Sequence, residues 1–170
     1  MDITNQARLD ELISKEEIRD VLSRFCRGVD RGEIELVRSC YHADAIDDHG
    51  SYHGGVDGLC AAIETVVERR TCTQHFLAPP LIELDGDRAV SESYVIAYHG
   101  VRPGRSSSGG DLFVGARYLD VFERRGGRWR IARRTVSHCW SRRLDAAPWR
   151  GADALTRDQR WPEDLLYRLM

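Results

Sequence analysis

Tyr118-Leu119-Asp120-Val121-Phe122-Glu123-Arg124-Arg125-Gly126-Gly127-Arg128-Trp129-Arg130-Ile131-Ala132-Arg133-Arg134 decides how the chain is read. Apolar and polar residues alternate on both sides of Gly126-Gly127, and a glycine pair between two alternating runs marks a β-hairpin. Side chains along a strand point to opposite faces in turn. Arg130, Ala132, Arg134, Val136 and His138 are therefore expected on one face of the second strand, and Trp129, Ile131, Arg133 and Thr135 on the other. The same period of two runs through segments near 111–123, 88–99 and 72–84, with a further hairpin at Asp85-Gly86-Asp87. Arg102-Pro103-Gly104-Arg105-Ser106-Ser107-Ser108-Gly109-Gly110 is a loop by composition, either a lid or a long connection.

Before residue 72 the period is helical. Ser14-Lys15-Glu16-Glu17 has the form of a capping box, and Ile18, Val21, Leu22, Phe25 and Val29 follow at helical spacing. Arg31-Gly32 is the break. A short second helix is expected from Glu33 to about Tyr41, then a strand Ala45-Ile46-Asp47-Asp48-His49 ending at Gly50 and a turn through His53-Gly54-Gly55. Asp57 is placed to cap a third helix carrying Leu59, Ile63, Val66 and Val67. Helices followed by consecutive strands in an antiparallel meander define an α+β class. A strongly curved sheet wrapped around the helices leaves a blind cavity between them, the kind of space that takes apolar ligands.

The 170 residues fit one domain, a size that buries about 70% of its unfolded surface. With 42% hydrophobic and 31% charged residues the composition is that of a folded globule. No apolar run approaches the roughly 20 residues that span a bilayer, and the acidic start MDITNQARLDELISKEE is unlike a targeting peptide, so a cytoplasmic, membrane-free protein is expected. Cys26, Cys40, Cys60, Cys72 and Cys139 are an odd set without a Cys-x-x-Cys spacing, which suggests neither a disulfide framework nor a zinc knuckle. The net charge of −2 hides an asymmetry: residues 1–100 carry 10 basic and 19 acidic side chains, residues 101–170 carry 15 and 8. The arginines of the second part lie along strands without clustered exposed aromatics, so no nucleic-acid partner is expected.

On a helical wheel Asp30 falls at the edge of the apolar stripe, and the pattern alone leaves it either pointing inward or exposed at the helix end. His75, in Thr73-Gln74-His75-Phe76-Leu77, is read either as a buried, hydrogen-bonded histidine or as a working one. Together they form a proton-moving device, because a carboxylate orients and charges an imidazole that titrates near neutrality. Arg134 is read either as an oxyanion-stabilising group facing a cavity or as a solvated ion pair. The run Tyr41-His42-Ala43-Asp44-Ala45-Ile46-Asp47-Asp48-His49 with His53 beyond matches no known ligand spacing, so no metal is expected. Asp48 and His49 are instead expected at the pocket mouth. No dinucleotide, P-loop, nucleophile-elbow or zincin motif is present.

Arg24-Phe25-Cys26-Arg27-Gly28-Val29-Asp30-Arg31-Gly32, Tyr41-His42-Ala43-Asp44-Ala45, Gln74-His75-Phe76-Leu77 and the segment Tyr118 to Trp129 resemble the SnoaL-like branch of the nuclear transport factor 2 (NTF2) superfamily, nearest to its dehydratase and dehydrochlorinase group. The resemblance implies an NTF2-like cone: three N-terminal helices packed on a strongly curved, mostly antiparallel sheet enclosing a pocket. The likeness covers about residues 8–140, so residues 1–140 are assigned to that domain. Residues 141–170, from Ser141-Arg142-Arg143 to the Trp161–Tyr167 stretch, read by composition as a C-terminal tail with a short final helix, whose apolar side chains need burial on the domain or on a neighbouring subunit. The resemblance also implies no cofactor and a homo-oligomer, a trimer before a dimer. Asp30 matches the family's orienting aspartate, His75 its base and Arg134 the arginine after the Trp-containing strand. Phe25 stands where relatives carry a proton-donating tyrosine or lysine, and phenylalanine donates nothing. The acid is then sought among Tyr98, His99, Asp48 and Arg134, with Phe25, Asp48, His49, Tyr98, His99 and His138 expected to bind substrate. The reaction expected is a cofactor-independent elimination, dehydration or retro-aldol-type fragment loss, from a small hydrophobic oxygenated ring compound. An isomerase or cyclase using the same base, and a non-catalytic binding or dioxygenase small-subunit-like assembly domain, are the alternatives.

Overall fold

The computed structural model describes residues 3–101, 110–144 and 158–169. The order is α1 (Ile3–Arg31), α2 (Ile34–Ser39), β1 (Tyr41–Asp48), β2 (His53–Gly55), α3 (Val56–Arg69), β3 (Arg70–Leu77), β4 (Leu81–Asp85), β5 (Arg88–Val101), β6 (Asp111–Arg125) and β7 (Arg128–Leu144), with a 3₁₀ turn at Leu165–Arg168. The loop expected at 102–110 falls, apart from Gly110, outside the described residues, as does 145–157 of the tail.

Helix α1 starts about three turns before the capping-box signal. Ser14 is buried in mid-helix, and the preceding turns carry their own i,i+4 pairs, Gln6 to Asp10 and Lys15 to Glu11, which support helix on an exposed face. The helix ends where Gly32 takes a positive φ of 68°, a conformation glycine adopts without a Cβ clash. Ile18, Val21, Leu22 and Phe25 are each at most 1% exposed and form one wall of the core with Val37, Tyr41, Phe122 and Ile131. Each such burial contributes about 1.5–3 kcal/mol.

The sheet has seven strands in the order β2-β1-β7-β6-β5-β3, with β4 also on β5. The α+β class holds and the sheet is mostly antiparallel, but the strongly curved cone is not found. β1 runs parallel to β7, which makes the sheet mixed, and the pairing path runs out at β2 and β3 without closing. The cavity is roofed instead by α1, α3 and the β1–β2 turn. The single strand expected near 72–84 is two, because Pro79-Pro80 supply no amide hydrogens to a ladder. The turn expected at His53-Gly54-Gly55 is a short strand paired with β1.

Two register shifts in β7 reset its faces. Val121 pairs with Arg133 but Phe122 with Ile131, and Ala116 pairs with His138 but Gly115 with Trp140, so Ala132 and Cys139 are bulged. Ile131 and Arg134, expected on opposite faces, are consequently both fully buried. Trp140 lies so close over Gly115 that a Cβ there would meet the indole at 2.2 Å.

Residues 158–169 pack on the C-terminal end of α1. The Trp161 amide donates to the Arg31 carbonyl, Arg160 donates to the Asp30 carbonyl at 3.0 Å, and Tyr167 donates to Glu33 at 2.8 Å.

Candidate active site

A cavity of about 350 Å³ lies between the helices and the inner face of the sheet. Its wall is largely apolar, with Val29 from α1, Leu59, Ile63 and Val66 from α3, and Val95, Ala97 and Ala116 from the sheet. Four histidines interrupt it: His49, His75, His99 and His138.

His75 sits on β3 directly against Ala97 of β5, which fixes its ring on the inner face. Its Nδ1 lies 2.6 Å from Asp30 Oδ1, while its backbone N–H donates to Asp30 Oδ2 at 2.8 Å. A carboxylate oxygen accepts, so Nδ1 donates to it, and Nε2 is the ring nitrogen left without a hydrogen bond among the described residues. The two side chains are 7% and 14% exposed, which removes most competing water. Asp30 thus does point inward, from the last turn of α1.

His99, two residues diagonal to His75 across the β3–β5 pair, meets it edge to face at 6.0 Å between ring centroids. Burial, then the neighbouring His75 and Arg70, push the His99 imidazole down to about 4. It is neutral near pH 7, and its Nδ1 is buried without a partner among the described residues.

Three expected site residues are elsewhere. Arg134 is 0% exposed and lies beneath the wall, bonded in parallel to both oxygens of its cross-strand partner Asp120 at 2.7 and 2.8 Å. Its guanidinium is sandwiched between the rings of Phe25 and Tyr118, 4.2 Å from each centroid, a favourable cation–π geometry. Those rings separate it from the cavity, which it does not line. Tyr98 donates to Asp111 at 2.7 Å and packs on Phe113, outside the lining. Asp48 accepts the Gly50 amide and pairs with His53 at the surface. Phe25, His49, His99 and His138 do line the cavity, His138 at its exposed rim.

Asp47 was not among the expected residues. It is 1% exposed, accepts Tyr41 Oη at 2.8 Å with one oxygen and binds His49 Nδ1 with the other. The signal was available: on extended backbone residues two apart share a face, so Asp47, not Asp48, accompanies His49.

The thiols offer no nucleophile at the site. Burial pushes Cys26 up to about 12 and Cys40 up to about 11. Among the described residues no group of three or more His, Cys, Asp and Glu side chains is placed to hold a metal ion. Nor is any helix there long and apolar enough to cross a membrane.

An α+β domain with a carboxylate-held imidazole on an apolar cavity is the class that fold and site define. Residues 10–135 match the family model described as "SnoaL-like domain", and the chain belongs to that family, within the NTF2-like superfamily. No curated protein matches it significantly. Among solved structures it is similar to hexachlorocyclohexane dehydrochlorinase LinA-type3 from Novosphingobium barchaimii, at 22% identity and a TM-score of 0.72 over 83% of this chain and 99% of that one. It is also similar to the Kfla4162 protein from Kribbella flavida, at 19% identity and 0.69 over 75% and 91%, and to a conserved protein from Planctomyces limnophilus, at 20% and 0.65 over 78% and 99%. At these identities the likeness is one of fold.

Proposed function

We propose that the chain is a lyase that removes a proton from carbon and expels a neighbouring group from a small, hydrophobic, oxygenated ring compound. One observation carries this reading: His75 lines an apolar cavity while its Nδ1 is spent on Asp30, which leaves Nε2 for the substrate. His75 takes the proton, and Asp30 holds the tautomer and compensates the imidazolium that forms, the role a carboxylate plays behind a catalytic histidine. The apolar wall binds the ring and keeps water from the carbanion-like transition state. The family supports the reading, and the structural relative named as a dehydrochlorinase points, by that name, to elimination.

The test uses 3-hydroxy-1-tetralone, a bicyclic β-hydroxyketone whose elimination yields 1-naphthol and water, followed by naphthol fluorescence. Wild type converts it above the buffer rate, and His75→Ala lowers turnover by about 10²–10⁴-fold, the usual worth of a positioned base, while the circular dichroism spectrum is unchanged. Conversion by His75→Ala at the wild-type rate refutes the reading.

A further inference from the structure

His49 and Asp47 repeat, on another wall of the same cavity, the arrangement of His75 and Asp30. We infer that His49 is the general acid of the reaction and delivers the proton that the phenyl ring of Phe25 cannot. The inference rests on the lyase reading above and adds a second catalytic residue to it.

Asp47 is almost fully buried and both of its oxygens are occupied, one by the Tyr41 hydroxyl and one by His49 Nδ1. A carboxylate filled by two donors is fixed as an acceptor, and it compensates the ring when that ring carries a second proton. Tyr41 itself stays a phenol, because burial pushes its ionisation well above the ordinary value. The His49 imidazole is seated against Phe25 and Tyr118, 6.4 and 6.1 Å between centroids. It lines the cavity, and among the described residues no hydrogen bond engages its Nε2. The backbone at His49 is fixed as well, its amide donating to the Tyr52 carbonyl and its carbonyl accepting from the Ser51 amide. The donor absent at Phe25 is thus supplied by the imidazole packed on it.

The step balances. The C–H proton goes to His75 Nε2 and its electron pair becomes the new carbon–carbon π bond as the C–O bond breaks. The departing hydroxyl takes the Nε2 proton of His49 and leaves as water. His75 ends protonated and His49 neutral, and solvent restores both after release. A leaving group that departs as a stable anion does not need the second proton.

Two probes therefore separate the two histidines: 3-hydroxy-1-tetralone, which must lose water, and 3-acetoxy-1-tetralone, which loses acetate and gives the same 1-naphthol. His49→Gln is expected to lower the ratio of alcohol to ester turnover by about 100-fold or more, and His75→Ala to abolish both. Asp47→Asn, which keeps the ring and removes the charge behind it, is expected to lower the same ratio by about tenfold, so the inference does not depend on one variant folding. Melting temperatures accompany each variant. A His49→Gln protein that melts like wild type and slows both probes equally, or neither, overturns the inference and leaves the lyase reading intact. Wild type that converts neither probe, or His75→Ala that converts the ester normally, overturns the lyase reading itself.

Discussion

Two carboxylate-held side chains in this molecule, His75 on Asp30 and Arg134 on Asp120, differ in what lies beside them. Asp30–His75 and Asp120–Arg134 both span from one element to another, both use two short contacts, and both are largely shielded from water. In the first, the imidazole lines the cavity, and its Nε2 has no hydrogen bond among the described residues. In the second, the guanidinium is roofed by Phe25 and Tyr118 and is fully enclosed. Burial beside a carboxylate is common to both; access to a ligand-sized space belongs to the first alone.

The sealed pair gives the largest expected effect. Asp120→Ala leaves the Arg134 cation buried and uncompensated, and urea unfolding is expected to show a loss of about 3–5 kcal/mol. Replacing both partners by apolar residues, Asp120→Leu with Arg134→Met, is expected to recover most of that loss. If the single change is silent, the contrast between the pairs fails.

His99 gives the next effect, a largely buried imidazole whose Nδ1 has no hydrogen-bond partner among the described residues. Its folded-state value of about 4 lies below the 6.5 of an ordinary histidine, so between those values the unfolded chain binds more protons. Its contribution is therefore fully present above about pH 6.5 and is lost as pH falls toward 4, up to about 3 kcal/mol. Thermal unfolding across that range measures the slope, and His99→Phe is expected to flatten it.

The open pair is expected to respond in rate, with little change in stability. Asp30→Asn keeps the shape and one acceptor oxygen but not the charge, and turnover of the hydroxytetralone is expected to fall by about 100-fold, equivalent to about 2.7 kcal/mol of barrier. Its urea midpoint is expected to stay near that of wild type. An Asp30→Asn protein that unfolds early and turns over normally reverses the assignment of the two pairs.

Much of this was legible beforehand and some was not, for local reasons. The switch from a period of 3.6 to a period of 2 near residue 72 exposed the α+β order, because α3 ends at Arg69 and β3 begins at Arg70. Whether Asp30 faces inward was not decided by periodicity. It meets His75 across 45 positions of sequence, and only the packing of α1 on β3 brings them together. Arg134 shares the face of Val136 and His138, as the alternation implies, but the rings of Phe25 and Tyr118 close over it, a tertiary contact that the strand pattern does not carry. The open, mixed sheet escaped notice because β1 looks like any short strand, and nothing local in Tyr41–Asp48 shows that its partner is β7 in parallel.

The seat of Asp30 also has an order of assembly. Its carbonyl and that of Arg31 receive their donors from Arg160 and Trp161, about 130 residues later in synthesis. A ribosome that has released the helices and the whole sheet has therefore made the cavity but not the clasp behind its aspartate. The end of the helix that carries Asp30 thus gains its last hydrogen bonds from the last segment to be made.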